Sequence, residues 1–245
     1  MEEKELKTSK GQRVVIALIA LFMVGSMIAS YAAIVISGSK SSSADSSETQ
    51  ALSDERMAYY QNGYKTALDK FRSASAGDYE KFSQYLSAVG TYDEAAANEG
   101  EVKTKDLAVG EGREIGAEDS DYLAYYVGWC ADGSVFDSSL DSASEPTAFN
   151  KVLDVSIGMI DGWTEGVTGM RVGGVRRLTI PGAKAYGENM EICGGHNKPL
   201  RFLVMAVAKE EPLKSVASEL DSAYMKLQYA NYGIDYEKQV TSKGQ

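Results

Sequence analysis

The chain has few of the residues on which catalysis and metal binding most often depend. Its 245 residues include a single histidine, His196, and two cysteines, Cys130 and Cys193. A Ser-His-Asp triad or a histidine-based metal site would depend entirely on that histidine, and the cysteines lie too far apart in sequence to form a Cys-x-x-Cys motif. We therefore expect no metal site and no cofactor.

Positive charge is also scarce. The 25 lysine and arginine residues are outnumbered by 35 aspartate and glutamate residues, and the formal net charge is -10. Binding to nucleic-acid phosphates requires a clustered cationic face. The densest basic group, Arg171 with Arg176 and Arg177, is predicted to form the solvated face of a strand pair. No nucleic-acid partner is expected.

One long apolar stretch, residues 14–36, lies near the N-terminus and contains no charged residue. At about 1.5 Å per helical residue it is long enough to cross a hydrocarbon core of about 30 Å. A cleaved secretory signal is the alternative, although its apolar core usually runs only about 7 to 15 residues. Because lysine and arginine residues precede the stretch and only Lys40 follows it closely, the tail 1–13 is predicted to be cytoplasmic. The sequence thus predicts a single-pass membrane protein whose C-terminal domain is extracytoplasmic.

The two cysteines leave two structural alternatives open. In an oxidising exterior Cys130 and Cys193 could pair, provided that their Cα atoms lie within roughly 4.4 to 6.8 Å of each other. Otherwise they are two separate buried thiols.

The segments on either side of the chain's centre are predicted to be a linker and helices. Residues 37–52 are serine-rich and too polar to bury surface, which predicts a flexible linker. Apolar residues at three- and four-residue steps predict a helical segment over 53–92, with a break at Gly77-Asp78, and a C-terminal helix over 212–240. The helices are expected to pack on each other or on the central domain. The alternative is a contact with a client protein or a second copy.

Between residues 101 and 208 the pattern changes to short β-rich runs separated by glycine-containing turns. Only one helix fits inside this region, near residues 163–170. The pattern predicts an α+β fold in which an antiparallel sheet wraps around a short helix. The β-rich runs are residues 122–127, 175–180 and 200–207.

Ordered blocks of this central region resemble the FKBP-type peptidyl-prolyl cis-trans isomerases. In chain order the blocks are Tyr125-Tyr126-Val127-Gly128, Phe136-Asp137-Ser138-Ser139, Gly162-Trp163-Thr164-Glu165-Gly166, Leu178-Thr179-Ile180-Pro181, Ala185-Tyr186-Gly187 and Leu200-Arg201-Phe202-Leu203-Val204. The resemblance covers residues 101–208 and implies an FKBP-like fold with rotamase activity. It also implies that proline-containing polypeptides bind, and that a macrolide inhibitor of the family could bind.

Rotation about an X-Pro bond needs no nucleophile, because no bond is made or broken. The barrier of roughly 18–20 kcal/mol comes from the partial double bond. An apolar pocket that holds the proline ring and strips water from the carbonyl would stabilise the twisted imide, aided by a few oriented donors. A lowering of about 8 kcal/mol would accelerate rotation roughly a million-fold.

The resemblance assigns the pocket to particular residues. It makes Trp163 the floor, makes Asp137 and the Tyr186 hydroxyl polar contacts, and makes the Ile160 backbone N–H a donor to the substrate carbonyl. The walls that it implies are Tyr126, Phe136, Met159, Ile160 and Phe202.

Two stretches depart from the family's pattern. Between Phe136 and Trp163 the chain has a different length, and Phe149 and Val155 are competing matches for a further substrate-binding wall. After Tyr186-Gly187, residues 188–199 replace the isoleucine- and proline-rich loop that usually overhangs the pocket. Sequence preference and rate in the family depend on that loop.

The function expected from these observations is that of a membrane-anchored prolyl isomerase that assists the folding of extracytoplasmic proteins. The alternative is a non-catalytic binder of proline-containing peptides or a membrane-anchored chaperone, in which the flanking helices bind the client.

Overall fold

The computed structural model describes residues 44–232, 234 and 236. The predicted cytoplasmic tail and transmembrane helix, residues 1–13 and 14–36, lie outside the described residues. Among the helices of the described part, none combines the length and the apolar character needed to cross a bilayer.

The described chain forms two compact units. The first contains residues Asp78–Lys209, and the second contains the described parts of Ile36–Gly77 and Glu210–Gln245. All residues that the sequence assigns to the pocket belong to the first unit.

The longest described helix starts earlier than the predicted segment 53–92, passes the predicted break and ends at Ser83. Helix α1, Ala44–Ser83, includes much of the predicted linker and continues through Gly77-Asp78. The predicted break is wrong because one glycine costs a helix only about 1 kcal/mol relative to alanine. Beyond the glycine, packing offsets that cost, since the rings of Tyr79 and Phe82 lie 5.4 and 5.5 Å from that of Phe149.

The second unit is made of helices. Helix α4, Leu213–Asn231, corresponds to the C-terminal helix expected over 212–240. Within this unit the Tyr64 and Tyr224 rings lie 5.9 Å apart, and the Lys70 Nζ lies 2.6 Å from the Glu219 carboxylate. The helices of this unit therefore pack on each other. The remaining helices are α2, Glu94–Asn98, and α3, Asp161–Val167.

The first unit is built around a six-stranded antiparallel sheet with the strand order β1-β5-β6-β2-β3, in which β4 also pairs with β2. Strand β2 lies between β6 and β3 and pairs along its whole length with β6. The α+β architecture with an antiparallel sheet is thus confirmed. The strands are β1 Lys103–Ala108, β2 Tyr122–Trp129, β3 Val135–Ser138, β4 Leu153–Asp154, β5 Val175–Ile180 and β6 Leu200–Ala208.

The two faces of this sheet pack against different groups of buried side chains. Side chains alternate between the two faces of a strand. On β2, Tyr122 and Tyr126 belong to the hydrophobic cluster that also contains Trp163 of α3. Tyr125, between them, stacks on Phe149 at 3.8 Å outside that cluster. The same alternation on β6 directs Phe202 toward α3. The α3 face carries the residues that matter for function.

Arg176 corrects the prediction of a solvated basic face. It is only 7% exposed, and its Nη1 donates to the carbonyls of Gly166 and Thr168, each at 3.0 Å. Its Nε donates to Asp106 at 2.5 Å. The guanidinium satisfies the last carbonyls of α3, which lack partners within the helix and attract cations. Arg176 therefore binds α3 to the sheet.

The two cysteines form a disulfide. The Cα atoms of Cys130 and Cys193 lie 5.5 Å apart, and the bond joins the end of β2 to the loop 188–199. Of the two alternatives left open by the sequence, the structure shows the paired one.

Candidate functional site

Helix α3 forms the floor of the candidate site. Its Trp163 side chain is 1% exposed, and Nε1 donates to the Tyr122 hydroxyl at 3.2 Å. A Cβ atom on Gly162 would lie 2.2 Å from Ile180 Cγ2, and one on Gly166 would lie 2.9 Å from the Leu178 side chain. The two glycines therefore allow the helix to approach β5 closely, which fixes the height of the indole above the sheet.

Two aromatic rings contact the indole edge-to-face, and a third packs edge-to-face against one of them. The ring centroids of Tyr126 and Phe202 lie 6.0 and 5.4 Å from that of Trp163, at interplanar angles of 86° and 80°. The Phe136 ring lies 5.6 Å from that of Phe202, at 89°. This is the geometry that aromatic quadrupoles favour.

Gly128 allows two of these rings to converge. It pairs with Phe202 in the β2–β6 register, and a Cβ atom there would lie 2.6 Å from Phe136 Cζ and 2.8 Å from Phe202 Cε1. Any larger residue would push the rings apart. The glycine of the first sequence block thus has a packing role that its motif does not reveal.

The polar edge of the cluster is centred on Asp137. The Tyr126 hydroxyl donates to Asp137 Oδ2, and the Ser138 N–H donates to Oδ1 at 2.8 Å. Lys151 Nζ also donates to Oδ1, at 2.6 Å, and lies 5.5 Å from the Tyr126 ring centroid. Nothing in the sequence points to Lys151, because it lies within the stretch of unusual length and no motif marks it.

The phenols beside this carboxylate are held in the neutral form. Burial first, and then the negative charge of Asp137, raises the pKa of Tyr186 to about 12. The same two causes, in that order, raise the pKa of Tyr126 well above its usual value. Both hydroxyls therefore remain hydrogen-bond donors throughout the neutral pH range.

We expect the buried tyrosines to lose their phenolic protons at a higher pH in the folded protein than in the unfolded chain. The pKa values of Tyr92, Tyr122 and Tyr186 are raised to about 12, mainly by burial. Since unfolded phenols titrate near about 10, the stability that the buried phenols contribute is fully present below about pH 10 and is lost as the pH rises toward about 12.

Phenolate absorbance measured during alkaline titration checks this expectation. The native chain should show a group of tyrosines that stay neutral at about pH 11, and Tyr186→Phe should remove one member of the late-titrating group. A single transition near about pH 10 in the folded chain would contradict the burial of these phenols.

An unpaired donor lies at the start of α3. Ile160 is the N-cap residue of that helix and is 8% exposed, and its backbone N–H makes no hydrogen bond within the described part of the chain. A buried N–H without an acceptor is rare and costs free energy. This donor is therefore suited to a carbonyl oxygen supplied by a ligand.

The remaining predicted residues divide into two groups. Met159 and Tyr186 are partly buried and pack against the cluster that contains Trp163. Phe149 is not brought to this cluster, since it is fully buried on the other face of the sheet against Tyr125. Val155, its competitor, is a member of the cluster. Of the two competing matches for a further wall, the structure brings Val155 and not Phe149 to the cluster around Trp163.

The loop 188–199, here called the rim loop, meets the same cluster. Ile192 and Cys193 are partly buried against it, and a bridge between Ile192 and Gly195 closes the turn at the tip. The sequence analysis did not single out Ile192, although it is the one large aliphatic residue in a polar loop.

Comparison with known proteins gives a consistent result. Residues 114–206 match the family model described as FKBP-type peptidyl-prolyl cis-trans isomerase. A protein named FK506-binding protein from Neisseria meningitidis serogroup B is 38% identical over 104 residues, which are 42% of this chain and 88% of the relative. The FKBP-type peptidyl-prolyl cis-trans isomerase FkpA of Aeromonas hydrophila is 30% identical over 168 residues, which are 66% of this chain and 59% of that protein.

The chain is also similar to solved structures. The crystal structure of a peptidyl-prolyl cis-trans isomerase from Pseudomonas syringae pv. tomato is 26% identical in sequence and covers 59% of this chain and 93% of its own, with a TM-score of 0.33.

Proposed function

Because the chain belongs to the FKBP-type peptidyl-prolyl cis-trans isomerases and is an enzyme of that class, we propose how its site performs the reaction. The proline ring of a polypeptide substrate packs on Trp163, between Tyr126 and Phe202. The carbonyl that precedes the proline points toward the Ile160 N–H. Rotation about the X-Pro bond then takes place in a pocket from which water is excluded.

The observation that carries this proposal is the unpaired Ile160 N–H beside a buried aromatic cluster. A proline ring needs an apolar surface, and its amide carbonyl needs one donor. Trp163 and its neighbouring rings provide the first, and the start of α3 provides the second. A hydrogen bond at this position would satisfy a donor that folding leaves without a partner.

The acceleration comes from the environment rather than from proton transfer. Twisting the imide removes the conjugation between nitrogen and carbonyl, and the twisted form loses less than the planar form when water is excluded. The neutral Tyr186 hydroxyl is a second donor at the pocket. Asp137, through its hydrogen bond from Tyr126, holds one aromatic wall in place.

We also propose where the enzyme works and on what. The Cys130–Cys193 disulfide favours an oxidising compartment outside the cytoplasm, and the apolar residues 14–36 favour a membrane anchor. Proline-containing polypeptides in that compartment would be the substrates. A macrolide inhibitor would compete with them for the Trp163 surface, as the names of the FK506-binding relatives suggest.

A second candidate function rests on the second unit. The described part of this unit exposes several large apolar side chains, which could bind unfolded clients independently of the pocket. That arrangement would suit a chaperone that holds clients without isomerising them. These exposed residues are Leu52, Tyr59, Met225, Tyr232 and Ile234.

An isomerisation assay with the full chain tests the enzyme. We expect the cis-to-trans rate of an X-Pro peptide to rise in proportion to the concentration of native protein, and the heat-denatured protein to have no effect. A rate equal to that in buffer would reject the catalytic proposal. If the same preparation suppressed the aggregation of an unfolded client without accelerating rotation, the chaperone alternative would replace it.

A further inference from the structure

The backbone of the rim-loop tip makes no hydrogen bonds to the rest of the described chain. Within the described part of the chain, residues 190–196 make backbone hydrogen bonds only to one another, between Ile192 and Gly195. The base of the loop is better held, because Asn197 N donates to the Gly187 carbonyl at 2.7 Å and Lys198 pairs with Glu94 at 2.7 Å. The tip would therefore be mobile if nothing else held it.

Besides the packing of Ile192 and Cys193 against the cluster, a disulfide holds the tip. Cys193 is bonded to Cys130, which begins a tight turn in which Cys130 N donates to the Ser134 carbonyl at 2.9 Å. That turn leads directly into β3, which carries Phe136 and Asp137. One covalent bond thus joins the rim loop to the strand that forms a pocket wall.

The packing of the tip places one aliphatic side chain against the cluster to which the proposed pocket residues belong. Ile192 and Cys193 pack against the cluster that contains Trp163 and Phe202. Since the proposed proline surface is Trp163, a rim side chain that packs against the same cluster is suited to meet the neighbouring residue of the substrate. Ile192 is suited to an apolar neighbour because it carries no charge and is already partly buried.

We propose, resting on the proposed function, that the Cys130–Cys193 disulfide is a redox-sensitive positioning element that holds Ile192 against the residue preceding proline. In the oxidised chain the rim is fixed, and substrates with a bulky apolar residue before proline are preferred. In the reduced chain the tip leaves the pocket and the preference is lost.

The chemistry of the switch is thiol–disulfide exchange. A dithiol reductant attacks Cys193 Sγ, which belongs to the more exposed of the two residues, and forms a mixed disulfide while the Cys130 thiolate leaves and is protonated. The second reductant thiol then displaces Cys193. The products are two protein thiols and one oxidised reductant, so two electrons pass from the reductant to the protein.

The kinetic effect should appear in KM rather than in kcat. A contact between Ile192 and the residue before proline is made equally in the ground state and in the twisted state, which is uniform binding. Losing one apolar contact of this kind typically costs about tenfold in discrimination. The preference for a Leu-Pro over a Gly-Pro peptide should therefore fall about fivefold to tenfold on reduction, with kcat little changed.

The test compares the oxidised full chain, the same chain after dithiol reduction, and the Cys130→Ser/Cys193→Ser variant. Each is assayed with Leu-Pro and Gly-Pro peptides below its melting transition. Ile192→Ala in the oxidised chain should reproduce the loss of preference. Phe149→Leu, which lowers stability from the opposite face of the sheet, should leave the preference unchanged. An equal preference ratio in the folded oxidised and reduced chains would overturn the proposal, and so would a preserved ratio in Ile192→Ala.

A binding measurement separates this inference from the proposed function. Quenching of the chain's tryptophan fluorescence by the two peptides reports affinity without turnover. If the oxidised chain discriminates between the peptides but accelerates the rotation of neither, the proposed isomerase activity is rejected and the proposed role of the rim loop is supported. If the chain isomerises both peptides and the ratio of their rates is the same in either redox state, the isomerase activity is supported and the proposed role of the rim loop is rejected.

Discussion

Replacing Trp163 by alanine is expected to lower the free energy of unfolding by about 3 to 5 kcal/mol, the usual cost of removing a large buried aromatic side chain. The indole is 1% exposed and contacts two other rings, so the cavity left behind has rigid walls. Isomerisation per folded molecule should also fall by at least about 100-fold, because about 3 kcal/mol of the binding surface for the proline ring is lost.

The other tryptophan provides a matched control. Trp129 is fully buried too, but its Nε1 donates to the Gly90 carbonyl at 2.8 Å and it lies outside the cluster on α3. Trp129→Ala should cost similar stability and keep most of the activity per folded molecule. Denaturant titration gives the folded fraction of each variant. If the two variants lost activity equally, Trp163 would be a core residue and not the pocket floor.

Replacing Asp137 by alanine is expected to lower kcat/KM by about 10- to 100-fold while the circular dichroism spectrum is preserved. The carboxylate accepts hydrogen bonds from Tyr126, Ser138 and Lys151. Its removal leaves the Tyr126 hydroxyl and the Lys151 ammonium without their acceptor. Hydrogen bonds to charged groups are worth about 1.5 to 3 kcal/mol, which corresponds to that range of rates.

Two further variants locate the effect. Lys151→Gln keeps the bond between Tyr126 and Asp137, and should lower kcat/KM less than Asp137→Ala does. Glu165→Ala breaks an exposed ion pair of 2.7 Å with Lys184 and should change kcat/KM by less than about twofold, since exposed pairs contribute little. Activity in Asp137→Ala equal to that of the unaltered chain would remove this carboxylate from the site.

Much of the site could be predicted because it is encoded locally. Trp163 lies in a short run with Gly162 and Gly166. The absence of a side chain at these two positions is explained by their close approach to β5. Tyr126 and Phe202 lie on strands whose alternation follows from period two. Once α3 and those strands are recognised, their side chains can converge in few ways.

Other features depend on contacts between distant parts of the chain. Phe149 and Val155 are both apolar residues in one irregular stretch, and no pattern indicates which of them turns toward α3. Lys151 becomes part of the site only because that stretch folds back to Asp137. Arg176 looks like a surface residue until α3 supplies carbonyls that need a donor.

The sequence by itself determined the α+β class and the family, and it predicted Trp163 as the pocket floor, because these depend on periodicity and on short motifs. Only the tertiary structure decided that Cys130 pairs with Cys193, that α1 continues through Gly77, and that the rim loop lies against the aromatic cluster. The physical reason is the range of the interactions. Local propensities act between residues a few positions apart, whereas a disulfide across 63 residues, a buried guanidinium and a packed loop each require that the sheet has already formed.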